Sequence, residues 1–235
     1  MSLQLTLPVR ESFAATPRAR VLRLDLEGRP FAFRAGQAVL IGAHGRHVRK
    51  PYSIAVAPGD VRRHGWLELL VQMEEDGGTP GHLGLEPGVR LDVEGPIGTF
   101  TLPDRPVERR FIFIAGGTGI APLRAMLHDA LARWPDADLG LLYSARAPDE
   151  FAYAAELRDL AAHGRLGLHQ TVTRRATSAW TARRGRIDLD ILTGLVHDPA
   201  TLCFVCGPPA LVAEMPPLLR QLGVASERIR TEEWG

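Results

Sequence analysis

Lysine is almost absent from this chain: Lys50 stands alone, and every other basic side chain is arginine apart from the histidines. Cysteine is nearly as scarce, with Cys203 and Cys206 only. Two thiols exclude a disulfide framework and a four-cysteine iron–sulfur or zinc site within the chain. The eight histidines are scattered, and none falls into His-Glu-x-x-His or another metal spacing. No Gly-x-Ser-x-Gly elbow is present, so hydrolase chemistry has no visible nucleophile. No apolar run approaches the ~20 residues of a membrane-spanning helix. Residues 1–10 alternate apolar and polar side chains, unlike the basic start and apolar stretch of a signal peptide. Net charge is also small: 28 basic against 27 acidic residues leave +1, which gives no support to a nucleic-acid binder. What is present is an ordinary globular composition, 45% hydrophobic and 23% charged over 235 residues. It reads as a soluble, cytoplasmic protein of one large or two small domains.

The first hundred residues read as short strands. Leu22, Leu24 and Leu26 alternate with Arg23, Asp25 and Glu27, the period of a half-buried strand. Phe31 and Phe33 alternate again before Gly36, and residues 38–41 form another short apolar stretch. Further strands are expected at 52–57, 66–73 and 90–94. Many short strands separated by glycine and proline predict an antiparallel barrel or sandwich. After Pro103-Asp104-Arg105-Pro106 the pattern changes. Strands are expected at 110–115, 139–144, 166–172, 201–206 and 229–233. Helices are expected at 121–134, 151–163, 188–196 and 209–222, with Asp188 suited to a first helical turn. Alternating strands and helices predict a parallel sheet covered on its faces. The expected domains are therefore residues 1–104 and 105–235.

Three segments carry chemistry. Gly116-Gly117-Thr118-Gly119-Ile120-Ala121-Pro122 follows a buried strand and opens a helix. Such a turn lets backbone amides approach a phosphate, and Pro122 suits a first helical turn. The same turn also serves as a tight connection in an α/β fold, and proline stands where a third fingerprint glycine would be. Lys50-Pro51-Tyr52-Ser53 places a cation, an aromatic face and a hydroxyl within four residues of the barrel half. On an extended strand Tyr52 and Ser53 face opposite sides. Cys206-Gly207-Pro208-Pro209 sets a thiol at a strand's carboxyl end, where ligands of parallel sheets bind. Cys203 and Cys206 have the spacing of a redox dithiol, but on a strand they face opposite sides, so Cys203 reads as buried packing. Trp66 and Trp134 also read as packing.

Taken together and in order, these segments resemble the ferredoxin–NADP reductase family, flavoenzymes that pair an FAD-binding barrel with a nicotinamide-binding domain. Phe33 to Gln37 looks like the strand preceding the flavin site, and Lys50 to Ser53 like the family's Arg-x-Tyr-Ser flavin motif. Gly78-Thr79, with Leu85 and Gly88 downstream, looks like its pyrophosphate motif, and Gly95-Pro96-Ile97-Gly98 like its Gly-Pro-x-Gly strand end. Gly116 to Pro122 and Cys206 to Pro209 match the nicotinamide-domain motifs, and Thr231 to Gly235 is similar to an acidic-aromatic ending.

The resemblance implies an antiparallel β-barrel FAD-binding domain followed by an α/β parallel-sheet NAD(P)-binding domain. It implies FAD as cofactor and NADPH or NADH as co-substrate. Tyr52 then stacks on the flavin, and Ser53 hydrogen-bonds near its N5. Thr79 and amides near Gly78 hold the FAD pyrophosphate. Gly116, Gly117, Thr118, Gly119 and Pro122 face the coenzyme's pyrophosphate. Cys206, followed by Gly207 and Pro208, lies against the nicotinamide and shapes the hydride path, with Glu232 hydrogen-bonding nearby. Trp234 covers the flavin's other face or is a frayed terminus. Lysine at position 50 is a point charge where the family's arginine is a planar fork, and Arg49 is the candidate to supply the missing contact.

No ribose-binding acid is obvious at Ser144-Ala145-Arg146, and Thr173-Arg174-Arg175 suits a 2′-phosphate, which favours NADPH. The expected acceptor is a separate carrier: a ferredoxin, a flavodoxin or an oxygenase component. Arg46, Arg49, Arg62 and Arg63 could steer an acidic partner. A stand-alone flavin or quinone reductase, and an electron-transfer subunit of a larger complex, are the alternatives.

Overall fold

The computed structural model describes residues 3–74, 76–174 and 180–234. Seven elements build the first half: β1 (Leu3–Thr16), β2 (Ala19–Asp25), β3 (Ala38–Ala43), β4 (Lys50–Ser53), α1 (Pro58–His64), β5 (Trp66–Gln72) and β6 (Arg90–Ile97). The strands form one antiparallel sheet in the order β4-β3-β6-β1-β2-β5. An antiparallel bridge between Ile54 and Leu69 joins its two ends, so the sheet is a nearly closed barrel. Inward-facing side chains follow the period of two: Leu22 and Leu24, Val39 and Ile41, Leu67, Leu69 and Val71, and Leu91 and Val93 are buried in one core.

Two sequence readings change here. Phe31 and Phe33 alternate without a ladder partner, since residues 29–37 form no strand; their rings lie 6.0 Å apart over the barrel core. The strand expected at 52–57 stops at Ser53 because Pro58 starts α1, which Gly65 ends in a left-handed conformation.

The second half holds β7 (Arg110–Gly116), α2 (Ile120–Arg133), β8 (Asp138–Ala145), α3 (Ala154–Ala162), β9 (Gly167–Val172), β10 (Arg183–Arg184), α4 (Leu189–Thr193), β11 (Leu202–Gly207), α5 (Pro209–Gln221) and β12 (Ile229–Glu233). Its parallel sheet runs β10-β9-β8-β7-β11-β12. Phe111 to Ala115 and Leu202 to Cys206 are buried throughout, as strands covered on both faces require. On one face Ile112, Ile114, Cys203 and Val205 meet Leu192, Met215 and Leu219. On the other, Phe113 and Phe204 stack at 5.6 Å. Each such buried ring contributes roughly 1.5–3 kcal/mol, so the central strands are firmly anchored just below the loops that follow them. Asp188 precedes α4 as its N-cap rather than entering the first turn: its carboxylate accepts from the Ile191 N–H at 3.2 Å.

The chain divides into two compact units. The first runs to Leu102 and includes Arg124–Asp129; the second comprises Pro103–Leu123 and the chain from Ala130 onward. Among the described residues, no helix is long and apolar enough to cross a membrane.

Candidate functional site

In the barrel unit the Lys50 to Ser53 motif is β4 itself, an end strand of the sheet paired with β3, with Val39 opposite Tyr52 and Ala38 opposite Ser53. Lys50 and Pro51 are exposed, Tyr52 is half-buried against the core, and Ser53 is buried, 7% exposed. Tyr52 is held from a distant loop: its hydroxyl is 2.9 Å from His82 Nε2, and the two rings stack at 5.9 Å. Burial pushes the Tyr52 phenol up to about 12, so it stays protonated. Burial, then the nearby Lys50 charge, lowers the His82 pKa. A neutral His82 can accept the phenol's proton at Nε2 in a hydrogen bond.

Ser53 Oγ is buried and has no hydrogen-bond partner among the described residues. The terminal nitrogens of Arg49 pair with Glu94 at 3.1 Å and Asp92 at 3.5 Å, while its Nε is buried with no hydrogen-bond partner among the described residues. Gly78 and Thr79 lie in the loop after β5. The Gly78 N–H donates to Asp76 Oδ1 at 2.8 Å and its carbonyl accepts from Glu74, while Thr79 is exposed. Of the basic side chains thought to face a partner, Arg63 pairs with Asp60, whereas Arg46 and Arg62 are exposed.

In the second unit, glycines let two strand ends touch. A Cβ on Gly119 would lie 2.3 Å from the Cys206 carbonyl oxygen, and one on Gly116 would lie 2.8 Å from Leu211 and Pro208. A Cβ on Gly207 would lie 3.0 Å from the backbone of Gly116. The turn after β7 therefore sits directly on the end of β11. Gly117 differs: it is exposed, its φ of +56° favours glycine, and a Cβ there would meet nothing within 4 Å. Thr118 beside it is half-buried, and Pro122 is buried in the first turn of α2.

Cys206 is fully buried and lies opposite Glu232 in the β11–β12 register. Burial, then the Glu232 carboxylate, raises its pKa well above the ordinary thiol value, so the sulfur is not a thiolate nucleophile. Burial pushes Cys203 up to about 12, in the core as expected. Trp234 is half-buried; its backbone N–H donates to the Gly207 carbonyl at 3.0 Å and its indole N–H to Glu232 at 2.8 Å. Pro208 is exposed beside it.

Thr173 and Arg174 are exposed beyond the end of β9. The Thr173 N–H donates to the Ala145 carbonyl at 2.9 Å and the Arg174 N–H to the Arg146 carbonyl at 3.0 Å, which sets Arg146 beside Arg174. Arg184 follows on β10, paired with Val172. Arg175 lies outside the described residues. Three strand spacings of about 4.8 Å separate β9 from β11. A ligand touching both Arg174 and Cys206 is therefore elongated, as a dinucleotide is. Sequence reasoning missed His82 and Tyr143. The latter is fully buried, and its hydroxyl donates to the Gly117 carbonyl at 3.0 Å. Among the described residues no cluster of three metal-ligating side chains occurs.

Residues 4–102 match the model of the oxidoreductase FAD-binding domain and residues 113–215 that of the oxidoreductase NAD-binding domain. Ferredoxin–NADP reductase B of Sorangium cellulosum is 34% identical over 231 residues, covering 93% of each chain. The glycine betaine monooxygenase reductase subunit of Pseudomonas aeruginosa is 28% identical over 87% of this chain and 57% of its own. The crystal structure of the Amycolatopsis cytochrome P450 reductase GcoB superposes with a TM-score of 0.85 at 27% identity, over 99% of this chain and 70% of that one. The chain belongs to the ferredoxin–NADP reductase family. It is a flavin-dependent oxidoreductase that binds FAD and takes NAD(P)H as co-substrate.

Proposed function

We propose that this chain is an FAD-dependent NADPH oxidoreductase that passes electrons to a separate acidic carrier protein: a ferredoxin, a flavodoxin or an oxygenase component. The observation that carries the reading is the Ser53 hydroxyl, buried with no partner among the described residues. An unmade buried hydrogen bond costs about 1–3 kcal/mol, and a flavin heteroatom beside Tyr52 would complete it. The residues present therefore fit FAD, with residues 1–104 as its domain and 105–235 as the coenzyme's.

FAD, when bound, accepts a hydride from the nicotinamide and releases the electrons singly. The chain's own residues bind and orient. Tyr52 supports the flavin ring with its phenol fixed by His82, and Ser53 Oγ hydrogen-bonds near N5. Lys50, next to Pro51, supplies a point charge for the FAD pyrophosphate, and Thr79 a hydroxyl at the Gly78 turn. The turn from Gly116 through Gly117, Thr118 and Gly119 to Pro122 receives the coenzyme's pyrophosphate, bounded by Gly207 and Pro208. Cys206, kept as a neutral thiol, packs against the nicotinamide, and Glu232 holds Trp234 in place at the end of β11. Thr173, Arg174, Arg146 and Arg184 favour a 2′-phosphate. Arg46 and Arg62 favour an acidic carrier.

Anaerobic titration of the FAD-supplemented protein tests this. NADPH is expected to bleach the visible flavin band faster than NADH. Equal or reversed rates would remove the coenzyme preference. A protein that binds no flavin when supplied with it would remove the reading.

A further inference from the structure

Tyr143 belongs to no motif, yet it is a buried polar side chain whose hydrogen bond reaches the glycine turn. It sits near the end of β8, fully buried, opposite Ala115 of β7. Its ring meets Phe151 edge-on at 5.0 Å. The direction of its hydroxyl proton follows from its two partners. The Ala152 N–H, which can only donate, points at the phenol oxygen at 3.2 Å. The Gly117 carbonyl, which can only accept, lies at 3.0 Å. The single phenolic proton therefore goes to Gly117. Burial raises the phenol's pKa, so that proton is kept at every working pH.

This bond fixes a peptide plane. In a trans peptide the C=O and the following N–H point in opposite directions. A Gly117 carbonyl turned toward Tyr143 therefore turns the Thr118 N–H away from the buried phenol. Two features make the peptide in need of a lock. Gly117 carries no side chain and already has a φ of +56°, so its flanking torsions are loosely determined. The other hydrogen bond to the Gly117 carbonyl, from the Ile120 N–H, belongs to a 3₁₀ turn, whose geometry is poorer than an α-helix's.

We infer that Tyr143 is a positioning residue for coenzyme binding: by holding the Gly117 carbonyl inward it keeps the Gly117–Thr118 peptide with its N–H aimed at the coenzyme's pyrophosphate. The inference rests on the reading that this turn receives the pyrophosphate. A flipped peptide would present a carbonyl oxygen to an anion instead of a donor, so loss of the lock weakens anion binding without touching the barrel.

Tyr143→Phe removes the hydroxyl and keeps the ring. On the FAD-loaded protein, titration calorimetry with NADP+ or NAD+, whichever the wild type binds, is expected to show Kd raised roughly fivefold to tenfold, the size of one neutral hydrogen bond. KM for the reduced coenzyme should rise with it, while kcat at saturation, flavin content and the visible flavin spectrum stay within about twofold. Phe151→Leu is the companion. It loosens the same pocket while leaving the phenol, and is expected to lower the melting temperature with Kd unchanged. An unchanged Kd in Tyr143→Phe, or an equal rise in Phe151→Leu, would overturn the inference. Should Tyr143→Phe fail to fold, a rise in Kd for Phe151→Leu would still overturn the inference. A wild type that binds neither coenzyme would instead overturn the reading on which the inference stands.

Discussion

Tyr52 and Gly119 mark two different ways of building a ligand surface. In the barrel, polar side chains do the positioning: Tyr52 on His82 and Arg49 on Glu94 and Asp92, with the Ser53 hydroxyl left unmatched. In the parallel sheet the backbone does most of it: the turn after β7 rests on the Cys206 carbonyl because Gly119 has no side chain, with the Tyr143 hydroxyl on the Gly117 carbonyl as an added tie. Hydrogen-bonded side chains can be removed one at a time and can titrate. A backbone contact either closes or does not. The unpartnered Ser53 hydroxyl of the barrel should therefore respond to substitution in function before stability, and the Gly119 contact of the sheet in both at once.

The largest effect is expected at Gly119. Its φ of −60° suits any residue, so only space forbids a side chain there. A methyl group 2.3 Å from the Cys206 carbonyl oxygen must push one strand end off the other. Gly119→Ala is expected to cost about 3 kcal/mol or more in denaturant unfolding and to lower coenzyme affinity more than tenfold. Gly117→Ala meets no atom and should cost only about 1 kcal/mol, from its positive φ. Equal costs at the two positions would break the claim that strand contact, rather than turn conformation, sets this half-site.

Ser53→Ala comes next and should behave in the opposite way. Removing a buried hydroxyl that lacks a partner relieves a desolvation cost, so the flavin-free protein should be as stable as the wild type or more so. Flavin reduction by coenzyme, followed anaerobically by stopped flow, should nonetheless slow by about a hundredfold, the scale for losing one well-placed donor. A stability loss above about 1 kcal/mol would mean that the hydroxyl already has a structural role, and the contrast with Gly119 would fade.

The same contrast explains what was legible in the sequence. The central strands of the parallel sheet, β7, β8 and β11, declared themselves because they are buried on both faces and read as nearly unbroken apolar runs; the edge strand β10, two exposed arginines, did not, while 229–233 is the observed β12 although none of its residues is buried. The barrel was legible as a class and less so in its parts. β1 buries only Leu7 and Val9 of its fourteen residues, too few to show a period. α1 carries a proline start and a glycine stop but buries only Val61, so it has no apolar stripe to reveal it. The glycine and Lys50-Pro51-Tyr52-Ser53 segments were visible because their chemistry is local. His82 and Tyr143 were not, because each acts on a partner 30 or 26 residues away, a distance along the chain that no short motif spans.

The smallest expected effect is a proton. His82 faces Tyr52, the Lys50 ammonium and the Glu74 carboxylate; burial and then Lys50 lower its pKa, and Glu74 opposes them. In the unfolded chain an ordinary histidine takes its proton near pH 6.5. Between that value and the lower folded one, the unfolded state binds more protons than the folded state, so stability must rise with pH there. The His82 contribution is thus complete above about pH 6.5 and is lost as pH falls through the folded pKa. Thermal melts of the wild type and His82→Gln from pH 7.5 down to 5 should show the gap in slope opening only below about pH 6.5, with the wild type declining more steeply. The glutamine amide can still hydrogen-bond Tyr52 but cannot take a proton in this range. Parallel slopes would mean that His82 is free to charge in place, and that the barrel's grip on Tyr52 is as indifferent to protons as the glycine contact in the sheet.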